Sequence, residues 1–389
     1  MSDAMSLQIA VVGAGPVGLA FALQAAGALP QARISLFDAR PIDGQPSADP
    51  RVLALNLGSV QQLQRLQAWE PARAEPIREI SVSQVAPGRT DLRLCAAELG
   101  APLLGAVLGY ADVLAPLQRA WLALEAQQPA RLRSCGGQRV ADLKTLDDGR
   151  LELDCGVAEA FDLVVLAEGG LFADQAHKPW RRDYAQTAWV GSLRLGADWP
   201  RGLALERFTR DGPLAVLPLP DDAQGRRASL VWCTASGEPA EALSLARLRA
   251  LLPPQAQAVV GIEGNLKPFA LGLNAEARLV RGRVLRIGNA AQALHPVAGQ
   301  GLNLGLRDAH QLASALRDAG ADLDAALRRF EHQRRPDRLA LLATTDGLAR
   351  VFTGDSAALG LARELGLRAL QRLPPLRHAL ARQLMFGWR

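Results

Sequence analysis

Six residues near the amino terminus, Gly13-Ala14-Gly15-Pro16-Val17-Gly18, constrain the fold more than any other feature of the chain. They read G-x-G-x-x-G, and they stand between an apolar run at 7–12 (LQIAVV) and a helix-like stretch at 19–28. A second apolar run, 33–37 (RISLF), follows and ends in Asp38. Short, wholly apolar runs are what parallel strands covered on both faces require. Strand, glycine turn, helix and strand within roughly thirty residues make a βαβ unit. Gly13 permits the tight turn, Gly15 lets the backbone approach a pyrophosphate, and Gly18 lets helix and strand pack closely, with the phosphates at the helix N-terminus. Asp38 stands where a carboxylate holds ribose hydroxyls. The unit predicts a Rossmann-like, dinucleotide-binding α/β domain and does not by itself separate FAD from NAD.

Two further apolar runs end in motifs: 161–167 (FDLVVLA) at Glu168-Gly169-Gly170, and 283–287 (RVLRI) at Gly288-Asn289. Motifs at the carboxyl ends of three strands predict one site at the top of one sheet. Between 184 and 270 the texture changes. Runs at 203–208, 214–219 and 228–234 read as strands joined by turns such as Arg210-Asp211-Gly212, which predicts an inserted antiparallel sheet. From 302 to 319 helical spacing returns, and the rest reads as helical up to the Pro374-Pro375 break. The expected division is a discontinuous nucleotide-binding domain (1–75, 105–183 and 275–350), a substrate-binding sheet domain (76–104 and 184–274) and a basic helical segment (351–389).

With 389 residues, 49% of them hydrophobic, the chain can bury a full core shared by two domains. The net charge of +5 is local: Arg363, Arg368, Arg372, Arg377, Arg382 and Arg389 face only Glu364 in the tail, and the remainder is neutral. That excludes a diffuse basic face for nucleic acid and fits a tail that meets a membrane surface or an acidic partner. Cys95, Cys135, Cys155 and Cys233 form neither a metal cluster nor a disulfide framework, and they suit a reducing cytoplasm. The uncharged stretch 4–32 reads as a buried strand–turn–helix. Only Asp3 precedes it, and glycines, Pro16 and Gln24 interrupt it, so it fits neither a signal peptide nor a span.

The run 288–303 (GNAAQALHPVAGQGLN) is too particular for a generic loop. Together with the N-terminal fingerprint it resembles the FAD-dependent aromatic hydroxylases, the class A flavoprotein monooxygenases. Within them it is similar to the ubiquinone-biosynthesis hydroxylases. The resemblance implies an aromatic hydroxylase fold, FAD as cofactor and NAD(P)H as a transient reductant. It places Asn289, at the strand end, on the ribityl chain, and His295-Pro296 with Gly299-Gln300-Gly301-Leu302-Asn303 along the flavin ring. It puts Glu168-Gly169 where relatives carry Asp-Gly, and Arg51, within 49–55 (DPRVLAL), where an arginine reaches FAD. The chemistry is consistent: Gly299 and Gly301 open backbone N–H groups to the ring, the following helix N-terminus favours negative charge on it, and Pro296 stiffens the loop. Asn289 and Gln292 depart from the commoner GDAAH pattern. Asparagine still hydrogen-bonds a hydroxyl but supplies no charge. Around 109–121 relatives carry a polar group near the flavin, and none of Ala111, Asp112 and Ala115 is assigned that part.

The implied reaction passes through a C4a-hydroperoxyflavin whose distal oxygen is transferred to an electron-rich phenol, while the protein positions the ring and excludes water. His295 either orients the flavin loop or assists phenol deprotonation through water. The implied partners are O2 and a polyprenyl-phenol, then other ubiquinone-biosynthesis proteins and the membrane surface through the tail, with the protein cytoplasmic or peripheral on the inner face of the plasma membrane. Leu376, Leu380 and Leu384 at helical spacing, with arginines between, fit either docking or a helix packed on its own domain. Hydroxylation of another ring position or of a soluble phenolic, and a non-catalytic flavoprotein scaffold, stay open from sequence alone.

Overall fold

The computed structural model describes residues 6–45, 47–85, 91–169, 178–294, 299–353, 366 and 368–387. The chain opens with β1 (Gln8–Val12), α1 (Pro16–Ala28) and β2 (Arg33–Asp38). Pro16 takes the first helical position, where its missing N–H costs nothing. α1 is apolar on every side and is therefore an interior helix. Next come β3 (Val52–Asn56), α2 (Leu57–Arg65), β4 (Glu75–Ile77), β5 (Glu79–Gln84), β6 (Leu92–Cys95), β7 (Gly105–Gly109), α3 (Tyr110–Gln127) and β8 (Leu132–Gly136). β9 (Asp142–Thr145), β10 (Leu151–Asp154) and β11 (Ala158–Phe161) precede β12 (Leu163–Leu166). A long antiparallel section follows: β13 (Trp180–Leu195), β14 (Leu203–Phe208), β15 (Pro213–Asp222), β16 (Gly225–Ala235), α4 (Leu245–Leu251) and β17 (Val259–Ala275). β18 (Val280–Arg281), β19 (Val284–Arg286) and β20 (Gln292–Ala293) lead to α5 (Gln300–Ala319), α6 (Leu323–Thr353) and a C-terminal helix, Pro374–Phe386.

The first sheet has the order β18-β19-β12-β1-β2-β8 and is parallel except at the β18–β19 edge. Alternation along β1 separates two cores. Ile9 and Val11 face α1, α3 and α5, whereas Ala10 and Val12 face the small sheet β9–β11 with Phe37 and Phe161. The second sheet, ordered β20-β17-β13-β16-β15-β14-β5-β6, is antiparallel apart from the β14–β5 pair. One of its faces buries Trp189, Leu214 and Trp232. The other face covers the site.

One local expectation changes. The apolar run 161–167 is two strands, because Asp162 leaves the ladder and its carboxylate accepts the Gln8 N–H at 2.8 Å. The helical run does end at the Pro374-Pro375 break: residues 368–372 are helical, and the two prolines then open the last helix, where a first turn forfeits no intrahelical bond.

Candidate active site

β19, β12, β1 and β2 are neighbours, and the motif residues Gly288-Asn289, Glu168, Gly13 and Asp38 sit at their carboxyl ends. The turns interlock backbone to backbone. Gly13 has φ +107°, and a Cβ there would lie 2.6 Å from the Glu168 amide nitrogen. A Cβ on Gly169 would overlap Asn289. Asp38 fixes the glycine turn from the side: Oδ2 accepts the Ala14 N–H at 2.8 Å, and Oδ1 accepts the Arg40 backbone N–H at 2.8 Å. Behind Asn289, Lys178 Nζ donates to its carbonyl at 2.9 Å. Burial pushes the Lys178 amine down to about 8.

These residues line a cavity of about 880 Å³, within the range of small-molecule and cofactor clefts. Gly13, Gly15, Pro16, Val17, Asp38, Arg51, Glu168, Asn289, Gly299, Gln300, Gly301, Leu302 and Asn303 all contribute to its wall. Ala14, Gly18 and Gly288 stand behind it; a side chain on Gly18 would overlap the Gly13 carbonyl, and Gly288 faces Val17. His295 and Pro296 lie outside the described residues.

Two of the lining glycines have no reason within the protein to be glycine. A Cβ on Gly15 would meet only the Tyr110 hydroxyl, 3.8 Å away, and a Cβ on Gly301 would meet nothing within 4 Å. Neither has a positive φ. Glycine in a helical first turn, as at Gly301, is entropically costly, and at the N-cap Gly15 a capping side chain would find room; the space kept open at both positions suits a ligand lying along the α1 and α5 N-termini. A dinucleotide cofactor fits that cradle: helix N-terminal N–H groups would meet its phosphates, and Arg40 and Arg51 line the same wall.

Three residues of the site escape sequence reasoning. Tyr110, at the start of α3, lines the cavity beneath Arg51, whose guanidinium carbon is 4.8 Å from the ring centroid. Burial raises the Tyr110 hydroxyl above its ordinary range, so it remains a neutral phenol. Arg40 and Lys178 likewise reach the site from turns that carry no motif. Arg51 is oriented by Asp49, with Nη2 donating to Oδ2 at 2.6 Å. Burial alone would raise the Asp49 carboxyl, but its bonds to Arg51 outweigh that and hold it low. Asn303 staples the loop: Nδ2 donates to the Ala54 and Gly299 carbonyls at 2.9 and 2.8 Å, and Oδ1 accepts the Asn56 N–H at 2.9 Å.

Beyond the flavin loop the cavity is mostly apolar, with Glu206 on β14 a charged side chain in its wall. Alternation in β15 and β16 sends Leu214, Val216, Leu230 and Trp232 into one core and Ala215, Leu217, Val231 and Cys233 toward the cavity. Burial holds the Cys233 thiol far above its usual value, so it is inert. The C-terminal helix completes this part with Ala381, Leu384 and Met385.

A parallel sheet that cradles a dinucleotide, roofed by an antiparallel sheet, defines the FAD-dependent aromatic hydroxylase fold. Residues 201–344 match the FAD binding domain family. Solved structures share the architecture at low identity. Klebsiella pneumoniae HpxO complexed with FAD and uric acid has a TM-score of 0.72 at 18% identity, covering 98% of this chain and 97% of that one. PqsL, a probable FAD-dependent monooxygenase from Pseudomonas aeruginosa, has a TM-score of 0.71 at 20% identity, covering 93% and 99%. Among proteins of known name, the ubiquinone hydroxylase UbiL of Rhodospirillum rubrum is 33% identical over 97% of this chain and 89% of its own. The 3-demethoxyubiquinol 3-hydroxylase of Escherichia coli is 30% identical over 94% and 95%. The human ubiquinone biosynthesis monooxygenase COQ6 is 31% identical over 51% of each chain. The chain belongs to the ubiquinone-biosynthesis FAD-dependent hydroxylases, and it is an FAD-dependent monooxygenase.

Proposed function

We propose that this enzyme hydroxylates the aromatic ring of a polyprenyl-methoxyphenol in ubiquinone biosynthesis, with NAD(P)H as electron donor and O2 as oxygen source. The observation that carries the proposal is the continuity of one cavity from the glycine cradle to an apolar chamber beneath the second sheet. Within the family, the run Gly288-Asn289-Ala290-Ala291-Gln292 is similar to that of 2-octaprenyl-6-methoxyphenol hydroxylase.

In this reading Gly13, Gly15 and the α1 N-terminus take the FAD pyrophosphate, with Ala14, Pro16, Val17 and Gly18 shaping the turn. Asp38 takes the ribose, Arg51 reaches the FAD, and the Glu168 turn meets the FAD and the passing nicotinamide. Gly288 and Asn289 take the ribityl chain, and Gly299, Gln300, Gly301, Leu302 and Asn303 take the ring, with Pro296 stiffening the loop. Bound FAD supplies the two-electron reduction by NAD(P)H and the activation of O2. The chain's own contribution is to hold the phenol ring and to keep water out, which the apolar residues Ala215, Leu217 and Val231 do. Backbone N–H groups at the start of α5 stabilise negative charge there. His295 either fixes the flavin loop or relays a proton from the phenol through water. Residues 1–75, 105–183 and 275–350 would form the FAD-binding domain, and 76–104 with 184–274 the substrate-binding sheet.

Among the described residues no helix is long and apolar enough to cross a membrane. The basic tail, with Leu373 and Leu376 about half exposed, supports a peripheral association with an anionic membrane or a lipid-carrying partner. Mass spectrometry of quinone precursors in a strain lacking the gene tests the substrate and the ring position together. Accumulated 2-polyprenyl-6-methoxyphenol, relieved by restoring the gene, is expected. A different hydroxylation precursor moves the enzyme to a sister step, and unchanged ubiquinone removes it from the pathway.

A further inference from the structure

We propose that the C-terminal helix, Pro374–Phe386, is the wall of an arm of the cavity that receives an isoprenoid chain, and that Leu384 and Met385 set how long a chain fits. The proposal rests on the ring-hydroxylase reading only for the head group that precedes the chain. Ala381, Leu384 and Met385 share the cavity with Leu94, Leu104 and Leu217, which come from β6, the segment before β7, and β15. Glu206 lies two residues along β14 from Ala204, toward Ala215, and the polar side chain beside the helix, Asn56, is committed to the protein. Its Nδ2 donates to the Leu384 carbonyl at 2.9 Å, and its Oδ1 accepts the Ser59 N–H at 2.9 Å. An arm walled by aliphatic side chains, with its nearest amide so engaged, selects an aliphatic occupant without hydrogen-bonding groups.

The wall is held in place. Arg377 Nη2 bonds Glu98 Oε2 at 2.9 Å. Gly58 lets the helix end approach α2, since a Cβ there would lie 2.8 Å from the Met385 carbonyl. Ala381 and Met385 are 2% and 4% exposed, so the face toward the arm is a packed surface. The Asn56 N–H also donates to Asn303 Oδ1, so Asn56 and Asn303 connect the start of α5 to the helix that closes the arm. The position of the helix and the flavin loop are therefore coupled through these two asparagines.

The test uses the full-length, FAD-loaded protein and calorimetric titration with 2-methoxyphenol carrying no tail, a geranyl tail or a farnesyl tail. Affinity is read as the farnesyl-to-tailless ratio, and flavin content reports the fold. The wild type is expected to gain at least about tenfold per isoprene unit, a floor set well below full burial of five apolar carbons because ordering the tail costs part of the gain. In Leu384→Trp the ratio falls at least about tenfold, because the indole occupies the arm. Met385→Ala shifts the preference toward the longer tail. A wild-type ratio near one, or the same ratio in wild type and Leu384→Trp, overturns the proposal. Geraniol alone separates it from the head-group reading. Geraniol binding that Leu384→Trp weakens keeps the arm even where no methoxyphenol is hydroxylated; equal geraniol binding to both proteins removes the arm whatever the head group.

Discussion

Replacing Gly15 with leucine is expected to give a folded protein that purifies without flavin. A Cβ at this position meets only the Tyr110 hydroxyl at 3.8 Å, so the protein itself tolerates a side chain there. Gly15 caps α1 in an extended conformation, and losing glycine at an N-cap costs about 1 kcal/mol or less. The leucine side chain instead fills the space over the helix N-terminus where the pyrophosphate must come within hydrogen-bonding distance. FAD affinity should fall by about a hundredfold or more, since an overpacked contact of this kind costs roughly 1–3 kcal/mol and the phosphate hydrogen bonds go with it. Gly13→Ala provides the contrast. Gly13 has φ +107°, and its Cβ would press on the Glu168 backbone, so this variant should lose stability as well as flavin. Flavin absorbance per protein, with the urea midpoint of each apoprotein, separates the two cases. Full flavin occupancy in Gly15→Leu would contradict the assigned cradle.

The second large effect lies behind the site. Arg334, on α6, has no exposed surface; its Nε donates to Asp308 Oδ1 at 2.7 Å and its Nη1 to Asp337 Oδ2 at 2.6 Å. Asp308 sits on α5, shortly after the flavin-loop residues, and also accepts Gln292 Nε2 at 3.1 Å. Gln292 in turn accepts Arg338 Nε at 2.6 Å. Arg307 bonds Asp337 as well, but no other arginine bonds Asp308 among the described contacts. Arg334→Met would therefore bury the Asp308 carboxylate without its cation. Removing one partner of such a pair costs about 3–5 kcal/mol, far more than an exposed ion pair contributes. Chemical denaturation should show that loss, and flavin should dissociate more readily because α5 is no longer clamped to α6. A variant as stable as the wild type would show that Asp308 finds water or a proton instead.

The N-terminal unit was legible because its constraints are local: a glycine turn between two apolar strands leaves few alternatives, and Asp38 follows at a fixed distance. The run from Gly288 to Asn303 was assigned through its resemblance to the aromatic hydroxylases, and its residues 295–298 lie outside the described residues. The strands over 203–208, 214–219 and 228–234 could be read from apolar runs between turn residues, and the structure extends two of them by a few residues at their ends. Tyr110 and Lys178 could not be read, because each meets the site through tertiary contacts with segments far away in the chain, and Arg40 lines the cavity from an unmarked turn two residues after Asp38. The tail shows how periodicity misleads. Leu376, Leu380 and Leu384 mark one stripe, yet Leu376 is 48% exposed while Ala381 and Met385 are buried. The face that packs is chosen by Asn56, Gly58 and Glu98, none of which the tail sequence records. The role of Asn303 was legible in place but not in kind: the structure uses its amide to bind Ala54, Asn56 and Gly299.

The most direct measurement is turnover of the purified, FAD-loaded protein with a farnesylated 2-methoxyphenol, NADPH or NADH, and isotopically labelled O2. The predicted result is reductant oxidation stimulated by the phenol, with one labelled oxygen atom on the product ring. Reductant oxidation that yields only hydrogen peroxide, or that no methoxyphenol stimulates, would contradict the ring-hydroxylase reading.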